Sequence, residues 1–327
     1  MRSALPLLAA QLREGDELIV VDNASTDGTA QAVQELDLGA TVVVPGENLG
    51  FAAGCNRGAA HGSGELIVFL NPDASPAEAF RDEIERPLAE GRVWVAWQGL
   101  VTAEGGRIVN TRGGVLHFTG IAWAGGAGEP VDQPAGGADE PAFVSGACLA
   151  IPRTEFERAG GFPEDFFLYH EDVDLSLRLR LRGARLGIEL RARVDHDYEF
   201  AKGAAKWRYL ERNRWATVIR TYPGVLLALL LPALVATELA LVPISIVGGW
   251  APQKLRAWGE TLRALPRLLS ERRAIQATRR IGAGEFARAL RADLDSPYLG
   301  APARSRVLRV GLRAYWSVVL RLLGEAP

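Results

Sequence analysis

The first 75 residues alternate short apolar runs with stretches of helical periodicity. Three of these runs are predicted strands, at Glu17–Val21, Thr41–Val44 and Glu65–Leu70. Between them, Thr29–Leu36 has a helical pattern, and a second helix is predicted to begin near Cys55. Strands that alternate with helices indicate an α/β domain with a doubly wound, mainly parallel sheet. Because such sheets bind ligands at the carboxyl ends of their strands, we expect a site in the polar loops that follow these strands.

Further elements are predicted beyond this region and before it. Residues 175–182 alternate apolar and polar side chains like a strand, yet they also fit one helical face, and Gly183 would end a helix. We predict a helix there, followed by a strand at Gly187–Val194. The segment Ala4–Leu12 is predicted to be an amphipathic helix and not a secretion signal, because it lacks a small-x-small cleavage site and acidic residues follow at once.

The longest apolar run covers Val225–Val247 and holds 14 Leu, Ile or Val residues with a single charge, Glu238. On an insertion scale the aliphatic residues supply roughly −6 kcal/mol, and the charge in the middle of the run costs about 3 kcal/mol. The pattern therefore predicts a segment embedded in a membrane. Pro232 and Pro243 would kink or break a helix, so a re-entrant hairpin, a broken span and a buried soluble helix remain alternatives.

Basic residues flank this run on both sides, so the positive-inside rule gives no orientation. Such flanks are typical of a segment that dips into the membrane and returns to the cytoplasmic face, where anionic lipid attracts each cation by about 1 kcal/mol. We favour this topology over a full crossing. Leucine spacings of three and four at 255–269 and 308–323 predict amphipathic helices, which lie in the membrane interface or pack against a partner helix.

The formal net charge of −2 conceals an asymmetry between the two parts of the chain. Residues 1–200 carry 16 Lys or Arg against 31 Asp or Glu, whereas residues 201–327 carry 21 against 8. A basic segment indicates an anionic partner. We expect an anionic membrane surface and no nucleic acid, because the cations alternate with aliphatic residues beside the long apolar run and lack the aromatic spacing used for base stacking.

The two cysteines, Cys55 and Cys148, form neither a disulfide framework nor a CxxC zinc motif. A reducing compartment is therefore expected. A candidate phosphate-binding site is the glycine-rich loop 46–54, because the helix that follows it would offer free N–H groups to phosphate. A purely structural turn fits this loop equally well. Asp73, directly after a buried strand, is either a ligand of a divalent cation or a helix cap.

The densest cluster of acidic and aromatic residues lies between Gly160 and Asp174. A carboxylate that is adjacent to another and partly desolvated by aromatic rings has its pKa raised toward that of a general base. The alternative is a helix N-terminus at which acidic residues favour the helix dipole. His196, which follows the last predicted strand, is either a structural histidine or a metal ligand.

Five segments together resemble the family 2 glycosyltransferases, in particular their bacterial rhamnosyltransferase-like branch with the A-type nucleotide-sugar fold. The segments follow the family's order and cover about two thirds of the chain, at residues 20–28, 48–56, 69–73, 160–175 and 196. The basic stretch 206–214 and the apolar run after it also resemble membrane-associated members of that branch.

The resemblance implies roles for individual residues. In binding the nucleoside diphosphate sugar, Asp22 would contact the base, and the donor site would be lined by Asn48, Gly50, Asn56 and Asn71. Asn71 replaces the first acid of the family's Asp-x-Asp motif, and Asp73 is the second.

The resemblance also implies the metal ligands and the catalytic base. Asp73 and His196 would hold Mg²⁺ or Mn²⁺ against the diphosphate. Asp172 would be the general base, supported by Glu171, in a single displacement that inverts the anomeric carbon.

The chain departs from the family at its beginning, because the first apolar strand, whose end would contact the nucleotide, is missing. Either the true start lies upstream or part of the base-binding wall is lost, and a gap in the sheet would leave backbone groups unpaired. We therefore expect a glycosyltransferase domain at 1–200, a basic amphipathic linker helix at 201–224, a membrane-embedded segment at 225–250 and a basic amphipathic helical tail at 251–327.

The expected function follows from these implications. The chain would be a metal-dependent inverting glycosyltransferase that moves a sugar, with a rhamnose-like deoxyhexose favoured, to a lipid-linked or polysaccharide acceptor. It would act in cell-envelope glycan synthesis at the cytoplasmic face of the bacterial inner membrane. The alternative, from a different class, is a non-catalytic glycosyltransferase-like membrane scaffold.

Overall fold

The computed structural model describes residues 3–131, 140–196, 203–296 and 305–325. The chain divides into two compact units. The first comprises residues 1–113, 126–176 and 185–198, and the second comprises residues 114–125, 177–184 and 199–327. The chain therefore enters the second unit three times, and the boundaries at 200, 224 and 250 drawn from composition remain a prediction.

The described residues contain strands and helices in the following order. The strands are β1 (Ile19–Val21), β2 (Thr41–Val43), β3 (Leu66–Leu70), β4 (Ser75–Pro76), β5 (Trp94–Ala103), β6 (Ile108–Thr111), β7 (Gly114–Leu116), β8 (Ala122–Ala124), β9 (Cys148–Pro152) and β10 (Arg185–Asp195). The helices are α1 (Ala4–Ala9), α2 (Thr29–Glu35), α3 (Gly50–Ala59), α4 (Phe80–Ala89), α5 (Arg153–Ala159), α6 (Glu171–Leu181), α7 (Lys206–Thr221), α8 (Gly224–Val247), α9 (Ala251–Ala277), α10 (Ala283–Ala287) and α11 (Arg306–Leu322). A short 3₁₀ helix covers Glu164–Phe166.

The alternation of strands and helices predicted for the first 75 residues is confirmed, although α3 begins at Gly50, five residues earlier than predicted. The prediction of a mainly parallel sheet is wrong. In the six-stranded sheet the order is β3-β9-β5-β10-β4, with β6 beside β5, and among these pairs β5 and β10 alone run parallel. The reason is that the described residues between β5 and β9 contain no helix, and a parallel pair needs a long crossover connection.

Helix α6 shows why its sequence alternates like a strand. Its four leucines, Leu175, Leu177, Leu179 and Leu181, are each at most 1% exposed, so the helix is buried on several sides at once. A helix that is surrounded by protein needs no single polar face. The helix predicted for this segment is therefore confirmed, as is the strand after it, which is β10.

The sheet of the first unit is split. Strands β1 and β2 form a separate parallel pair, and in the described residues the six-stranded sheet ends at β3 on the other side. A cavity of about 670 Å³ lies between the two parts and is lined by every residue of both β1 and β3. The absence of an inner strand remains a prediction.

The second unit is mainly helical and contains the long apolar run. This run forms α8, the one helix in the described part of the chain that is long and apolar enough to cross a membrane. The helix continues through Pro232 and Pro243, so the predicted break is wrong and a hairpin within the run is excluded. Both prolines are exposed.

Candidate active site

The turn after β3 and the end of β10 bring three polar side chains of the first unit together. His196 Nε2 lies 3.0 Å from Asp73 Oδ1, and the amide nitrogen of Asn71 lies 3.5 Å from the same ring nitrogen. The imidazole is buried, with 4% of its surface exposed, whereas 60% of the Asp73 side chain is exposed. The three groups therefore converge, with the histidine buried and Asp73 open to solvent.

Backbone contacts hold His196 in this position. Its N–H donates to the carbonyl of Thr102 over 2.9 Å, and its carbonyl accepts a hydrogen bond of 2.7 Å from the side chain of Asn110. The preceding residue, Asp195, accepts bonds from the Thr102 hydroxyl and from the N–H of Gly106. The end of β10 is thus tied to β5 and to the turn after it, which limits the movement of the imidazole.

Asp172 is connected to the same turn through residues 146 and 147. Its Oδ2 accepts a hydrogen bond of 3.0 Å from the N–H of Gly146, while the carbonyl of Ala147 accepts one of 3.1 Å from the N–H of Asn71. Position 146 is crowded, because a Cβ atom there would approach the ring of Phe51 to 3.1 Å. Backbone groups of two adjacent residues therefore connect Asp172 with the turn that carries Asn71.

The pKa values of Glu171 and Asp172, the two acids at the start of α6, are both raised. Burial raises the pKa of Glu171, and the neighbouring charge of Asp172 raises it further. Burial also raises the pKa of Asp172, although hydrogen bonds from the N–H groups of Gly146 and Val173 oppose this change. In the described part of the chain no hydrogen-bond partner reaches Oε2 of Glu171. Elevated pKa values of this kind suit a group that must accept a proton.

The loop before α6 has an unusual backbone. Phe167, Tyr169 and His170 all have φ between 63° and 70°, a left-handed conformation that costs roughly 1 kcal/mol or more per residue outside glycine. The carbonyl of Phe167 accepts hydrogen bonds from the N–H groups of Phe51 and Ala52. The strained loop is thereby fixed to the first turn of α3.

These contacts correct one expectation for the glycine-rich loop. The first N–H groups of α3 are not free for phosphate, because those of Phe51 and Ala52 bond to Phe167 and that of Gly50 bonds to the side chain of Asn48. Gly50 is required for a steric reason as well, since its φ is +79° and a Cβ atom would lie 2.5 Å from the ring of Phe167.

Asn56 also fixes a loop. Its amide nitrogen donates to the carbonyl of Phe162, and its amide oxygen accepts from the N–H of the same residue. The structure thus gives Asn48 and Asn56 a positioning contact each, and their part in donor binding remains a prediction.

Asp22 lies at the carboxyl end of β1 and is 4% exposed. Its Oδ1 accepts a hydrogen bond from the N–H of Ser25. Asp22, Ser25 and Asn71 all line the cavity between β1 and β3. The predicted base-binding residue and the Asn71 turn therefore face one space within the first unit.

Sequence reasoning missed three residues that shape this region. Asn23 bridges two loops, because its amide oxygen accepts from the N–H of Leu49 and its amide nitrogen donates to the carbonyl of Gly50. The buried Gln98 accepts from the N–H of Ser145, and Asn110 supports His196 as described above. A polar residue within the apolar run 94–101 was the signal for Gln98, whereas nothing in the pattern singles out Asn110.

A family-wide sequence model described as "Glycosyl transferase family 2" matches residues 2–115. The chain is also 29% identical over 199 residues to the N-acetylglucosaminyl-diphospho-decaprenol L-rhamnosyltransferase of Mycobacterium tuberculosis, an alignment that covers 51% of this chain and 61% of that protein. The predicted resemblance is confirmed: the chain is similar to the family 2 glycosyltransferases and to a relative named as a rhamnosyltransferase.

Solved structures show the same fold at low identity. The crystal structure of S. aureus TarS residues 1–349 with UDP superposes with a TM-score of 0.51 and 15% identity, covering 98% of this chain and 85% of that chain. A structure of GalNAc-T7 with UDP, GalNAc and Mn²⁺ gives a TM-score of 0.51 and 14% identity over 65% of this chain and 44% of that chain. The predicted A-type fold is therefore supported, with a mixed sheet in place of a mainly parallel one.

Proposed function

We propose that this chain is an inverting glycosyltransferase that uses a nucleoside diphosphate sugar. One observation carries the proposal: the buried His196 and the exposed Asp73 meet at 3.0 Å beside Asn71, whose backbone is linked through residues 146 and 147 to Asp172. These contacts support a site in which Asp73 and His196 face the leaving diphosphate and Asp172 serves the acceptor hydroxyl group.

In the proposed reaction Asp172 accepts the proton of an acceptor hydroxyl group. The oxygen of that group forms a bond to the anomeric carbon while the bond from this carbon to the nucleoside diphosphate breaks, so the anomeric configuration inverts. Glu171 is proposed as a positioning residue, because its buried carboxyl is adjacent to Asp172 and its pKa is raised by burial and by the charge of that neighbour. General-base catalysis of this kind contributes about 10²- to 10⁴-fold.

Asp73 and His196, with the amide of Asn71, are the residues we propose to hold Mg²⁺ or Mn²⁺. Asp73 Oδ1 and His196 Nε2 lie 3.0 Å apart, and a carboxylate oxygen and an imidazole nitrogen are groups that would bind such an ion. The described residues contain no group of three or more His, Cys, Asp or Glu side chains able to bind a metal, so the diphosphate of the donor would complete the coordination. The ion would stabilise the negative charge that develops on the departing diphosphate.

The donor is proposed to lie against the carboxyl ends of β1 and β3. Asp22 would contact the nucleotide base, while Asn48, Gly50, Asn56 and Asn71 would line the donor site. The mycobacterial relative is named as an L-rhamnosyltransferase acting on a diphospho-decaprenol-linked sugar. We therefore favour a rhamnose-like deoxyhexose as the sugar and a lipid-linked glycan as the acceptor, with a polysaccharide as the alternative.

The location is proposed to be the cytoplasmic face of the bacterial inner membrane, in cell-envelope glycan synthesis. The apolar helix α8 and the 21 basic residues of 201–327 support contact with an anionic membrane surface. A lipid-linked acceptor would be presented at the same surface.

The test is sugar transfer and donor hydrolysis with a panel of nucleoside diphosphate sugars, with and without Mn²⁺. Asp172→Asn should lower turnover by about 100-fold or more with little change in donor affinity. His196→Asn should weaken donor binding in the presence of Mn²⁺. The matched controls are Asp37→Asn and His61→Asn, which make the same chemical changes at exposed positions. Turnover unchanged by Asp172→Asn would refute the assigned role.

The open cavity in the sheet favours a second candidate function, a non-catalytic glycosyltransferase-like membrane scaffold. A scaffold would show neither donor turnover nor Mn²⁺-dependent binding of any nucleoside diphosphate sugar. Tight binding that requires Mn²⁺ and is lost in His196→Asn would exclude it. Calorimetric titration of the panel therefore separates the two functions even if no acceptor is identified.

A further inference from the structure

The single charge of the long apolar helix lies on its packed side. Leu226, Leu230, Leu234 and Glu238 follow one another at intervals of four residues, and the three leucines are at most 2% exposed. Residues spaced by four lie on one face of a helix. Glu238 thus continues the buried face of α8 and does not point outward.

Glu238 is bound there by cations and indoles from two other helices of the second unit. It contacts Arg214 of α7 and lies 2.9 Å from Nζ of Lys254 of α9. The indole N–H groups of Trp215 and Trp258 donate to its two oxygens over 3.1 Å and 2.7 Å. The charge is therefore neutralised inside the protein.

The opposite face of α8 is apolar along its whole length. Its exposed large residues include Val225 at 62%, Leu239 at 69% and Val247 at 90% exposure, and the remaining exposed positions are glycine, alanine, proline, leucine, valine and isoleucine. A helix of 24 residues is about 36 Å long. An uncharged exposed face of this length is far larger than a soluble surface normally carries.

A transverse position for α8 conflicts with the Glu238 contacts. At 24 residues the helix is long enough to cross a hydrocarbon core of about 30 Å, so length does not decide its orientation. Crossing would either separate Glu238 from Arg214 and Lys254 or carry parts of α7 and α9 into the hydrocarbon. Both helices are rich in exposed or half-buried arginine, and each arginine at the centre of a bilayer costs about 2.5–3.5 kcal/mol or more.

Helix α9 has the pattern of an interfacial helix. Leu255, Leu262 and Leu269 are exposed at intervals of seven residues, and the exposed Arg256 and Arg263 each follow a leucine by one position. One position is about 100° around a helix, so a line of arginines runs beside the line of leucines. This is the arrangement of helices that lie at the surface of anionic bilayers.

We propose that α8 lies in the plane of the membrane, with its outer face in the headgroup and acyl boundary of an anionic phospholipid bilayer, and that it does not span the bilayer. The proposal builds on the membrane association proposed above and is independent of glycosyl transfer. The occupant of this face is a lipid surface and not a nucleic acid or a peptide, because the face is uncharged while its neighbouring helix carries arginines suited to lipid phosphates.

The first experiment measures flotation of the full chain with vesicles of phosphatidylcholine alone and with phosphatidylglycerol added. Binding should be stronger on the anionic vesicles, and the pair Val235→Gln and Leu239→Gln should lower it by about tenfold or more. The pair Val93→Gln and Leu190→Gln, which changes exposed apolar residues of the first unit, is the matched control and should leave binding unchanged. Equal effects of the two pairs would overturn the proposal.

The second experiment measures depth. A fluorophore is attached to Val225→Cys, Val235→Cys or Ile246→Cys in separate variants, and quenching by lipids labelled at known depths is recorded, with the unsubstituted chain as the background for Cys55 and Cys148. An in-plane helix places the three probes at the same shallow depth. A probe at position 235 that lies about 15 Å deeper than the other two would show a span and overturn the proposal.

A second copy of the chain is the competing occupant of the outer face. Sedimentation without vesicles would then show a dimer that the Val235→Gln and Leu239→Gln pair dissociates, with no binding to vesicles, and this result would also overturn the proposal. Donor hydrolysis is measured on the same variants. Hydrolysis that persists when vesicle binding is lost leaves the proposed enzyme intact, so failures of the two proposals are distinguishable.

Discussion

Replacing Glu238 by leucine separates two views of helix α8. By composition alone, Glu238→Leu removes the only charge of the apolar run and should favour membrane insertion by about 3 kcal/mol. In the structure the same change removes a shared partner of Arg214, Lys254, Trp215 and Trp258. The substitution should therefore destabilise the second unit although it makes the helix more hydrophobic.

The size of the expected loss of stability follows from the burial of the two cations that Glu238 contacts. The side chains of Arg214 and Lys254 are each 2% exposed. Without Glu238, the one acid that both contact among the described residues is Glu211, which lies 3.2 Å from Arg214 and 2.6 Å from Lys254. Two buried cations would then face one carboxylate. Breaking a buried ion pair from one side costs about 3–5 kcal/mol, a large fraction of a typical stability of about 5–15 kcal/mol.

The assay is urea unfolding followed by tryptophan fluorescence, because Trp215 and Trp258 bond to Glu238 directly. Ala240→Leu, which adds apolar surface at an exposed position of the same helix, is the control and should change stability little. The double variant Glu238→Leu with Lys254→Met removes one charge of each sign and should recover part of the loss, since residues in contact couple by about 0.5–3 kcal/mol. Unchanged or increased stability in Glu238→Leu alone would refute the reasoning.

Three further predictions concern the first unit. Glu171→Gln should raise the free energy of unfolding at pH 7–8 but not near pH 4. Burial holds the pKa of Glu171 above its ordinary value of 4.5, so the wild-type chain loses stability as pH rises through the raised pKa. Urea midpoints of the two proteins that do not diverge with pH would contradict this prediction. Gly146→Ala should lower donor turnover by about tenfold or more, because the added Cβ would approach Phe51 to 3.1 Å and displace the N–H that bonds to Asp172. The control is Gly64→Ala, where the nearest contact of an added Cβ is at 3.7 Å. Equal kinetics of the two variants would count against the assigned role of the Gly146 N–H. Asn23→Ala should cost about 1–3 kcal/mol of stability and weaken donor binding, because it removes both contacts to the 49–50 loop. Thermal unfolding with and without nucleotide measures both effects. An unchanged melting temperature would show that the loop keeps its conformation without Asn23.

The local elements were predictable because they depend on patterns of nearby residues. The strands before Asp22 and Asn71, and helix α6, follow from apolar runs bounded by turn formers. Sheet direction was not predictable in the same way. Nothing in the periodicity of β9 states that it will lie between β3 and β5 and run opposite to both, since strand order is decided by contacts between residues far apart in the chain.

In the candidate site, too, some residues were predictable from local motifs, whereas long-range contacts were not. Asp73, Asp172 and His196 were chosen from motifs, and their local surroundings agree with a shared site. The sequence could not show that Phe167 would occupy the first N–H groups of α3, because that contact joins residues more than 100 positions apart. Supporting residues such as Asn110 were missed for this reason too, since their role is visible only from the partner they reach.

The hairpin of β7 and β8 affects how this protein can be shortened for experiments. Leu116 and Phe118 have no exposed surface, and Phe118 stacks on Trp316 of α11 at a ring separation of 5.0 Å. The backbone of Arg291 bonds to both residues, donating to the carbonyl of Leu116 and accepting from the N–H of Phe118. A truncation ending near residue 200, the obvious choice for a soluble catalytic fragment, would uncover these side chains and is expected to aggregate. A usable fragment would have to replace 114–125 with a short polar connection.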